Sequence, residues 1–257
     1  MTLFYDVPQM RDPSLYSSWR RPNHNSIIDW THPVANWRPT GVFLMGWPNP
    51  LKNLNPAFPD LSVFGFNFDE WGRDAYLPGN FNFQCTMDDS LVGGIATMGA
   101  GSWSLFVIAD AQKTPISSND QNFWSTSTTN AMMYFDNLGT AGRLTSFDGS
   151  KIAITSPEPN FNAGVFESYA TTFNHTNDDQ WLYLNGGTMC GGAQTNGTQS
   201  GFNSAMSGNV DIFDDMGGTS KRIQARFRCM FVFDQTLPAH IIASMHKDPF
   251  GFLIPNG

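Results

Sequence analysis

The sequence is poor in charged residues, and its charges are mostly acidic. Only 14% of the 257 residues are charged, against an average of about 25% in globular proteins. Lys and Arg number 14 and Asp and Glu number 22, so the net charge is −8. Because binding to nucleic-acid phosphates requires clustered Lys and Arg, we expect no nucleic-acid partner.

Long apolar runs and cysteine motifs are also missing. No apolar run reaches the length of a transmembrane helix, about 18 residues, and the first ten residues, MTLFYDVPQM, lack the basic and apolar regions of a signal peptide. We therefore expect no membrane insertion and, if the protein leaves the cell, release by another route such as packaging in a particle. The cysteines, Cys85, Cys190 and Cys229, form no CxxC pair, which indicates no disulfide framework and makes Cys229 a small core residue.

Short β-strand patterns fill most of the chain. ARFRCMFVFD (225–234) alternates apolar and other residues, which predicts a strand with Phe227, Phe231 and Phe233 in the core and a wetter opposite face. Asp148-Gly149 and Asn185-Gly186 are favoured hairpin turns. Regular spacing of such segments predicts a sandwich or barrel. The other candidate strands are GVFLM, FGFNF, FNFQCTM, GSWSLFVIADA, AMMYFD, RLTSFD, KIAIT, GVFESYATTFN and WLYLNG.

The spacing of the apolar residues changes after Asp234. Leu237, Ile241 and Met245 fall four residues apart, which predicts one apolar stripe on a short helix. Pro238 suits the first turn of that helix, and Asp248-Pro249 ends it.

The two remaining regions carry no such period. Residues 1–26 are non-periodic and are interpreted as an extended arm, which leaves residues 27–257 for one domain. The glycine-rich stretch that follows Gly186 (GGTMCGGAQTNGTQSGFNSAMSGN) is predicted to be a long surface loop.

Several motifs resemble one superfamily in a consistent order. ESYATTFNHTNDDQWLYLNGG looks like the central hairpin of concanavalin A-like, laminin-G-like domains, and RFRCMFVFDQTLPAHIIASMHKDPF is similar to their last strand and terminal helix. IIDWTHPVA and HKDPFGFLIP resemble the opening and close of such proteins in tailed-bacteriophage structural gene clusters. The resemblance implies an all-β jelly-roll sandwich of two antiparallel sheets with one short C-terminal helix.

The resemblance also implies a function. Hydrolases of this superfamily carry an ExDxxE motif, which this chain lacks, and its three glutamates, Glu70, Glu158 and Glu167, are far apart, so we expect no enzyme. We expect a structural protein of a phage virion, displayed as a capsid decoration, fibre-type or tail component. Its partners would be other virion proteins and further copies of itself, with residues 1–26 as the tether.

The alternative is a carbohydrate-binding, lectin-like module that recognises host surface glycans. Aromatic faces stack on sugar rings, and Trp124 lies in a polar stretch, whereas Trp103 and Trp181 fall in strand patterns that favour the core. NVDIFDDMGG places Asp211, Asp214 and Asp215 in a glycine-flanked segment. This segment is either a solvated acidic loop or a calcium site, and no other cofactor is expected.

Overall fold

The computed structural model describes the chain in sixteen ranges. They are residues 22, 25–44, 52–58, 60, 62–64, 75–77, 82–87, 102–111, 121–126, 132–137, 142–147, 152–154, 165–174, 179–193, 208–212 and 225–256. The predicted arm, 1–26, lies outside them apart from Pro22, Asn25 and Ser26. The Asp148-Gly149 turn, Asp214 and Asp215 also lie outside the described residues.

The described strands, numbered in chain order, form two large antiparallel sheets. The first sheet has the order β13-β12-β11-β6-β15-β2, and β4 pairs with β15 as well. Its strands are β2 (Pro39–Leu44), β4 (Ala75–Leu77), β6 (Trp103–Ala111), β11 (Glu167–Asn174), β12 (Asp179–Leu184), β13 (Gly187–Ala193) and β15 (Ala225–Phe233).

The second sheet has the order β10-β9-β8-β7-β14-β5-β3, with β7 in the middle. Its strands are β3 (Ser62–Phe64), β5 (Asn82–Met87), β7 (Gln121–Thr126), β8 (Met132–Asn137), β9 (Gly142–Phe147), β10 (Ile152–Ile154) and β14 (Gly208–Ile212). Together the two sheets make the predicted sandwich.

β4 and most of β3 were not among the predicted strands, and three further strands lie where the sequence indicated loops. β7, β13 and β14 lie in stretches that were interpreted as polar or glycine-rich loops. Their backbones are nevertheless paired with neighbouring strands on one or both sides. Glycine and polar residues disfavour strands only weakly, and pairing with neighbours overrides that preference.

The C-terminal helix agrees closely with its prediction. Helix α1 (Ala239–Lys247) buries Ile241, Ile242 and Met245, and its C-cap is Asp248, the residue before Pro249. Pro238 lies one position earlier than predicted, at the N-cap in an extended conformation.

β15 differs from its prediction because both of its faces are buried. Met230 and Val232, assigned to the wetter face, are as inaccessible as the phenylalanines. A register shift between Phe227 and Cys229 also inserts a bulge, so Phe227 pairs with Ala109 and Cys229 with Ile108. Since neighbouring positions on β6 lie on opposite faces, Phe227 is on the opposite face from Phe231 and Phe233. All three are buried, but in two different cores.

Phe231 is the centre of the core on the outer face of the first sheet. Its ring stacks on Phe106 at a centroid distance of 6.1 Å and meets Phe250 and Phe252 edge-on at 6.2 and 5.1 Å. Helix α1 closes this core with its apolar stripe. Cys229 belongs to the same cluster as a buried thiol, which confirms its predicted role as a small core residue.

A two-stranded ribbon completes the cover on this face. It consists of β1 (Ser26–Ile28) and β16 (Leu253–Pro255), which pair antiparallel. Asp29 donates its backbone N–H to the Phe252 carbonyl at 2.8 Å and extends the contact between the strands. The motifs IIDWTHPVA and HKDPFGFLIP, far apart in sequence, therefore form one structural unit. A 3-10 turn at Ala35–Trp37 follows the first motif in the chain.

Two asparagines cover the outer edge of β2. Asn53 accepts the Val42 N–H at 3.0 Å and donates to the Thr40 carbonyl at 2.9 Å, and Asn55 donates to the Pro39 carbonyl at 2.8 Å. These side chains replace a neighbouring strand. The proline-rich segment thus protects an edge that would otherwise be free to pair with another chain.

Ser104 joins the first sheet to the segment that enters α1. Its hydroxyl donates to the Gln235 carbonyl at 2.8 Å and accepts the Leu237 N–H at 2.8 Å. Ser104 is fully buried, so water cannot replace either bond.

We predict that Ser104→Ala lowers the free energy of unfolding by about 2 kcal/mol, since it leaves the buried Leu237 N–H and the partly buried Gln235 carbonyl without this partner. Urea denaturation measures the change. Ser244→Ala, the same replacement at an exposed helix position, is the control and should shift stability by less than about 0.5 kcal/mol. Equal effects of the two variants would contradict this role for Ser104.

Candidate functional site

Two of the four predicted binding residues, Trp124 and Asp211, lie in the centre of the second sheet, and the other two are outside the described residues. Trp124 is on β7, the middle strand, and Asp211 is on β14 beside it. Both were predicted to lie in loops, and the strand pairing corrects that prediction. Trp124 and Asp211 therefore occupy positions whose neighbours are fixed by strand pairing.

Strand register places Trp124 and Asp211 on opposite faces of this sheet. Trp124 is opposite Ile212 on β14, whereas Asp211 is opposite Ser125. Adjacent positions along a strand alternate between the two faces. A single ligand on one face therefore cannot contact both positions.

The row of positions that contains Trp124 is mostly apolar. From β8 to β3 it runs through Met133, Trp124, Ile212, Phe83 and Val63. On β9 and β10 the row continues through Ser146 and Ala153. The more apolar face of a sheet is the one that packs on the core. The register therefore assigns this row to the inner face of the sandwich.

The adjacent rows have a different composition. One runs through Ser125, Asp211, Gln84 and Ser62 in one direction and through Met132, Phe147 and Ile152 in the other. Two further rows on the same face pair Asn122 with Tyr134 and Thr145, and Asp136 with Arg143. This face, which we call the outer face of the second sheet, combines polar positions with aromatic and aliphatic ones, among them Tyr134, Phe147, Phe64, Met132, Ile152 and Ile154.

Sequence reasoning missed the outer face because it depends on register between distant strands. The period-two alternation of MMYFDN places Tyr134 and Asp136 on one face of β8, and that signal was available. No local pattern, however, showed that β14 inserts between β7 and β5. β14 follows β7 in the chain by about eighty residues.

The outer face of the first sheet is closed to ligands by the chain itself. Ile241, Ile242 and Met245 of α1 and Leu253 of β16 pack over Phe231 and its neighbours. Trp30, at the end of the ribbon, is 55% exposed and is the most accessible large apolar residue among those whose side chains are described. No pattern in the sequence singled it out.

A buried polar cluster lies at one end of the first sheet. Tyr169 donates from its hydroxyl to Glu167 Oε2 at 3.0 Å, and Asn185 Nδ2 donates to Glu167 Oε1 at 3.1 Å. Burial, and then the negative charge of Glu167, raise the pKa of Tyr169 well above its usual value. Because the Glu167 carboxylate is enclosed by these two donors and is only 6% exposed, the cluster is structural and holds the β12–β13 turn.

That turn also contacts the helix. Asn185 and Gly186 both have positive φ, 51° and 75°, as expected for the predicted Asn-Gly hairpin turn. A Cβ on Gly186 would lie 2.8 Å from His246 Cβ, so only glycine allows this approach. His246 Nδ1 lies 2.9 Å from Ser168 Oγ, and burial, followed by the charge of Lys247, lowers the pKa of His246.

Within the described residues, no three His, Cys, Asp or Glu side chains are grouped so that they could hold a metal ion. Since Asp214 and Asp215 are outside those residues, the calcium prediction stays a prediction. No helix in the described ranges is long and apolar enough to cross a membrane.

The sequence matches no family model and no curated protein, but the fold is similar to solved structures. Domain 4 of an extracellular arabinanase from Geobacillus stearothermophilus, solved with arabinotriose, aligns with a TM-score of 0.57 and 13% identity over 81% of this chain and 98% of that domain. A sialidase from Trypanosoma rangeli, solved with 2,3-difluorosialic acid, aligns with a TM-score of 0.56 and 10% identity over 82% of this chain and 33% of the sialidase.

A third structure is that of botulinum neurotoxin type C, from a study of its interaction with two ganglioside molecules. The TM-score is 0.57 and the identity 14%, over 82% of this chain and 52% of the neurotoxin chain. This chain thus spans about a third of the sialidase and about half of the neurotoxin chain. At these identities the likeness establishes the fold. The protein has the fold of a jelly-roll sandwich of two antiparallel sheets.

We predict that acid destabilises the protein partly through His246. Because its pKa in the folded state is lowered, the neutral ring is favoured by folding, and stability falls as the pH drops below the unfolded-state value of about 6.5. Urea denaturation at pH 7 and pH 5 should show a smaller loss for His246→Gln than for the natural protein. His240→Gln, on the exposed side of the same helix, should keep the natural pH dependence, and an unchanged slope in His246→Gln would contradict the prediction.

Proposed function

We propose that the protein is a carbohydrate-binding module without catalytic activity, and that it binds glycans on the outer face of the second sheet. One observation carries this proposal. Helix α1 and the β1–β16 ribbon cover the outer face of the first sheet, which leaves the outer face of the second sheet as the candidate surface within the described part of the chain. That face combines aromatic and hydrogen-bonding positions.

The composition of this face suits sugars. A pyranose or furanose ring presents apolar C–H groups to an aromatic ring and hydroxyls to polar side chains. Tyr134 supplies an aromatic position in a row with Asn122 and Thr145, and the neighbouring row supplies Ser125 and Asp211. A site made of one aromatic and a few polar contacts binds weakly, near millimolar or about −4 kcal/mol, so useful affinity requires several copies.

The comparisons support the proposal at the level of the fold. The arabinanase domain, nearly all of which aligns with this chain, was solved with arabinotriose, and the neurotoxin study names gangliosides. Arabinotriose and gangliosides both present sugars, and the two proteins share this fold. They do not identify the glycan for this chain.

The virion role expected from the terminal motifs stays a prediction, since no comparison supports it. It is compatible with glycan binding, because a particle protein can also recognise a host surface. The absence of ExDxxE supports the non-catalytic part of the proposal. Calcium also remains a proposal, for which Asp211 would be one ligand on the outer face.

Replacing Tyr134 tests the proposed face directly. A glycan array probed with the multimerised protein first identifies a ligand, and NMR titration then gives its affinity. We expect Tyr134→Ala to weaken binding at least tenfold, about 1.4 kcal/mol, through loss of the aromatic contact. Trp30→Ala, at the exposed position on the ribbon, should leave affinity unchanged.

Two outcomes would contradict the proposal. A blank array with the multimerised protein would remove the carbohydrate-binding function. Loss of binding in Trp30→Ala but not in Tyr134→Ala would place the site on the ribbon instead. Trp124→Ala tests the assignment of the two faces. Replacement of a residue on the inner face should lower the free energy of unfolding by about 3 kcal/mol and leave the glycan affinity of the folded protein unchanged.

A further inference from the structure

We infer that Asn185 is a site of spontaneous deamidation that the fold protects, and that its conversion to aspartate or isoaspartate in the unfolded chain opposes refolding. The inference goes beyond the proposed function and does not depend on it. It rests on the contacts that hold the β12–β13 turn between β11 and helix α1.

An asparagine followed by glycine is chemically labile, because glycine has no side chain to obstruct ring closure. The backbone nitrogen of Gly186 attacks Cγ of Asn185, and the new C–N bond closes a succinimide. Nδ2 leaves as ammonia with the proton from the Gly186 N–H. Water then opens the ring at one of its two carbonyls and gives aspartate or isoaspartate. Water is the only other reactant, but the Asn185 side chain must turn towards the Gly186 nitrogen.

Hydrogen bonds hold Asn185 against this movement in the folded protein. Its Oδ1 accepts the Ser168 N–H at 3.1 Å, and its Nδ2 donates to Glu167 Oε1 at 3.1 Å. Its backbone N–H donates to the Ser168 carbonyl at 2.8 Å. Glu167 is held in turn by the Tyr169 hydroxyl at 3.0 Å. Rotation of the Asn185 amide towards Gly186 therefore breaks both of its side-chain bonds.

Helix α1 restrains the attacking group. A Cβ on Gly186 would lie 2.8 Å from His246 Cβ and 3.2 Å from Ala243 Cα, so the helix lies directly on the Gly186 backbone. His246 is in turn linked to β11, because its Nδ1 lies 2.9 Å from Ser168 Oγ. The peptide group between Asn185 and Gly186 has little freedom to rearrange while α1 is in place. We therefore expect the reaction to proceed through opened or unfolded states.

The products do not fit the folded site. In aspartate an oxygen replaces Nδ2, which now lies 3.1 Å from Glu167 Oε1, so a hydrogen bond is lost and two carboxylates meet. Isoaspartate also adds a methylene to the backbone beside Gly186, where His246 leaves no room for another carbon. Deamidation of the unfolded chain therefore disfavours the native state and makes unfolding progressively irreversible.

The first experiment measures conversion at Asn185 in the full chain, by peptide mapping with tandem mass spectrometry. Samples are held in mildly alkaline buffer with and without denaturing urea. We expect conversion to be at least about tenfold slower without urea, which requires an opening free energy of only about 1.4 kcal/mol. Asn196-Gly197, the same dipeptide elsewhere in the chain, is the internal reference in urea and should convert there at a similar rate.

Two variants of Glu167 test which contact protects the asparagine. Glu167→Ala removes the acceptor of Asn185 Nδ2 and should speed conversion without urea by about fivefold, the equivalent of one hydrogen bond. Glu167→Gln keeps an acceptor oxygen and is the matched control, which should convert as slowly as the natural protein. Equal rates in these two variants would contradict protection by this hydrogen bond.

Asn185→Asp reproduces one product and tests its effect on stability without relying on the reaction. It should lower the midpoint of urea denaturation, whereas Asn36→Asp, the same replacement at an exposed position, should leave the midpoint unchanged. Adding Glu167→Gln to Asn185→Asp should recover most of the loss, because the glutamine amide can donate to the new carboxylate.

Three outcomes would overturn the inference. Equal conversion of Asn185 with and without urea would show that the fold gives no protection. Conversion of Asn196 but not Asn185 in urea would show that Asn185 is not a deamidation site. An unchanged midpoint in Asn185→Asp would remove the effect on refolding. Glycan binding is not involved in any of these measurements, so the proposed function stands or falls separately.

Discussion

Burial of both faces of the first sheet is the constraint on which the rest of the structure depends. A sheet in a two-layer sandwich needs only one apolar face, but β6 and β15 are apolar on both. The second apolar face must be covered, and Phe231, stacked on Phe106 and met edge-on by Phe250 and Phe252, is where that cover is attached. Helix α1, the 3-10 turn and the β1–β16 ribbon all follow from this requirement.

The cover brings the two ends of the described chain together. β1 and β16 have few residues each and could not be stable as an isolated ribbon. They persist because Ile28 and Leu253 belong to the same core as α1. The segment 52–58 protects the nearby edge of β2 through Asn53 and Asn55, so the first sheet is sealed on its outer face and along this edge.

Features that depend on neighbouring residues could be predicted from the sequence. The apolar stripe at Ile241 and Met245, the stop before Pro249 and the Asn185-Gly186 turn are all determined within a few residues, and the structure contains all of them. Phe227, Phe231 and Phe233 were correctly assigned to the interior. Their division between two cores was not, because the bulge at Arg228 is a property of the pairing between β15 and β6 rather than of β15 alone.

Features that depend on distant pairing were missed. Asp211 lies in a sequence that resembles an acidic loop, and Trp124 lies among serines and threonines, so composition favoured loops for both. Each is in a strand because β14 inserts between β7 and β5, which no local pattern records. The same pairing separates the two residues onto opposite faces and makes Tyr134 the better aromatic candidate for ligand contact.

The central claim is that one outer face of the sandwich is closed by α1 and the ribbon, and that ligand binding uses the other. Backbone amide shifts, measured by NMR during titration with arabinotriose or another neutral oligosaccharide found to bind, test this most directly. The account predicts that the perturbed amides lie in β7, β8, β9 and β14, with those of α1 and the β1–β16 ribbon unchanged. Perturbations concentrated in α1 and the ribbon would contradict it.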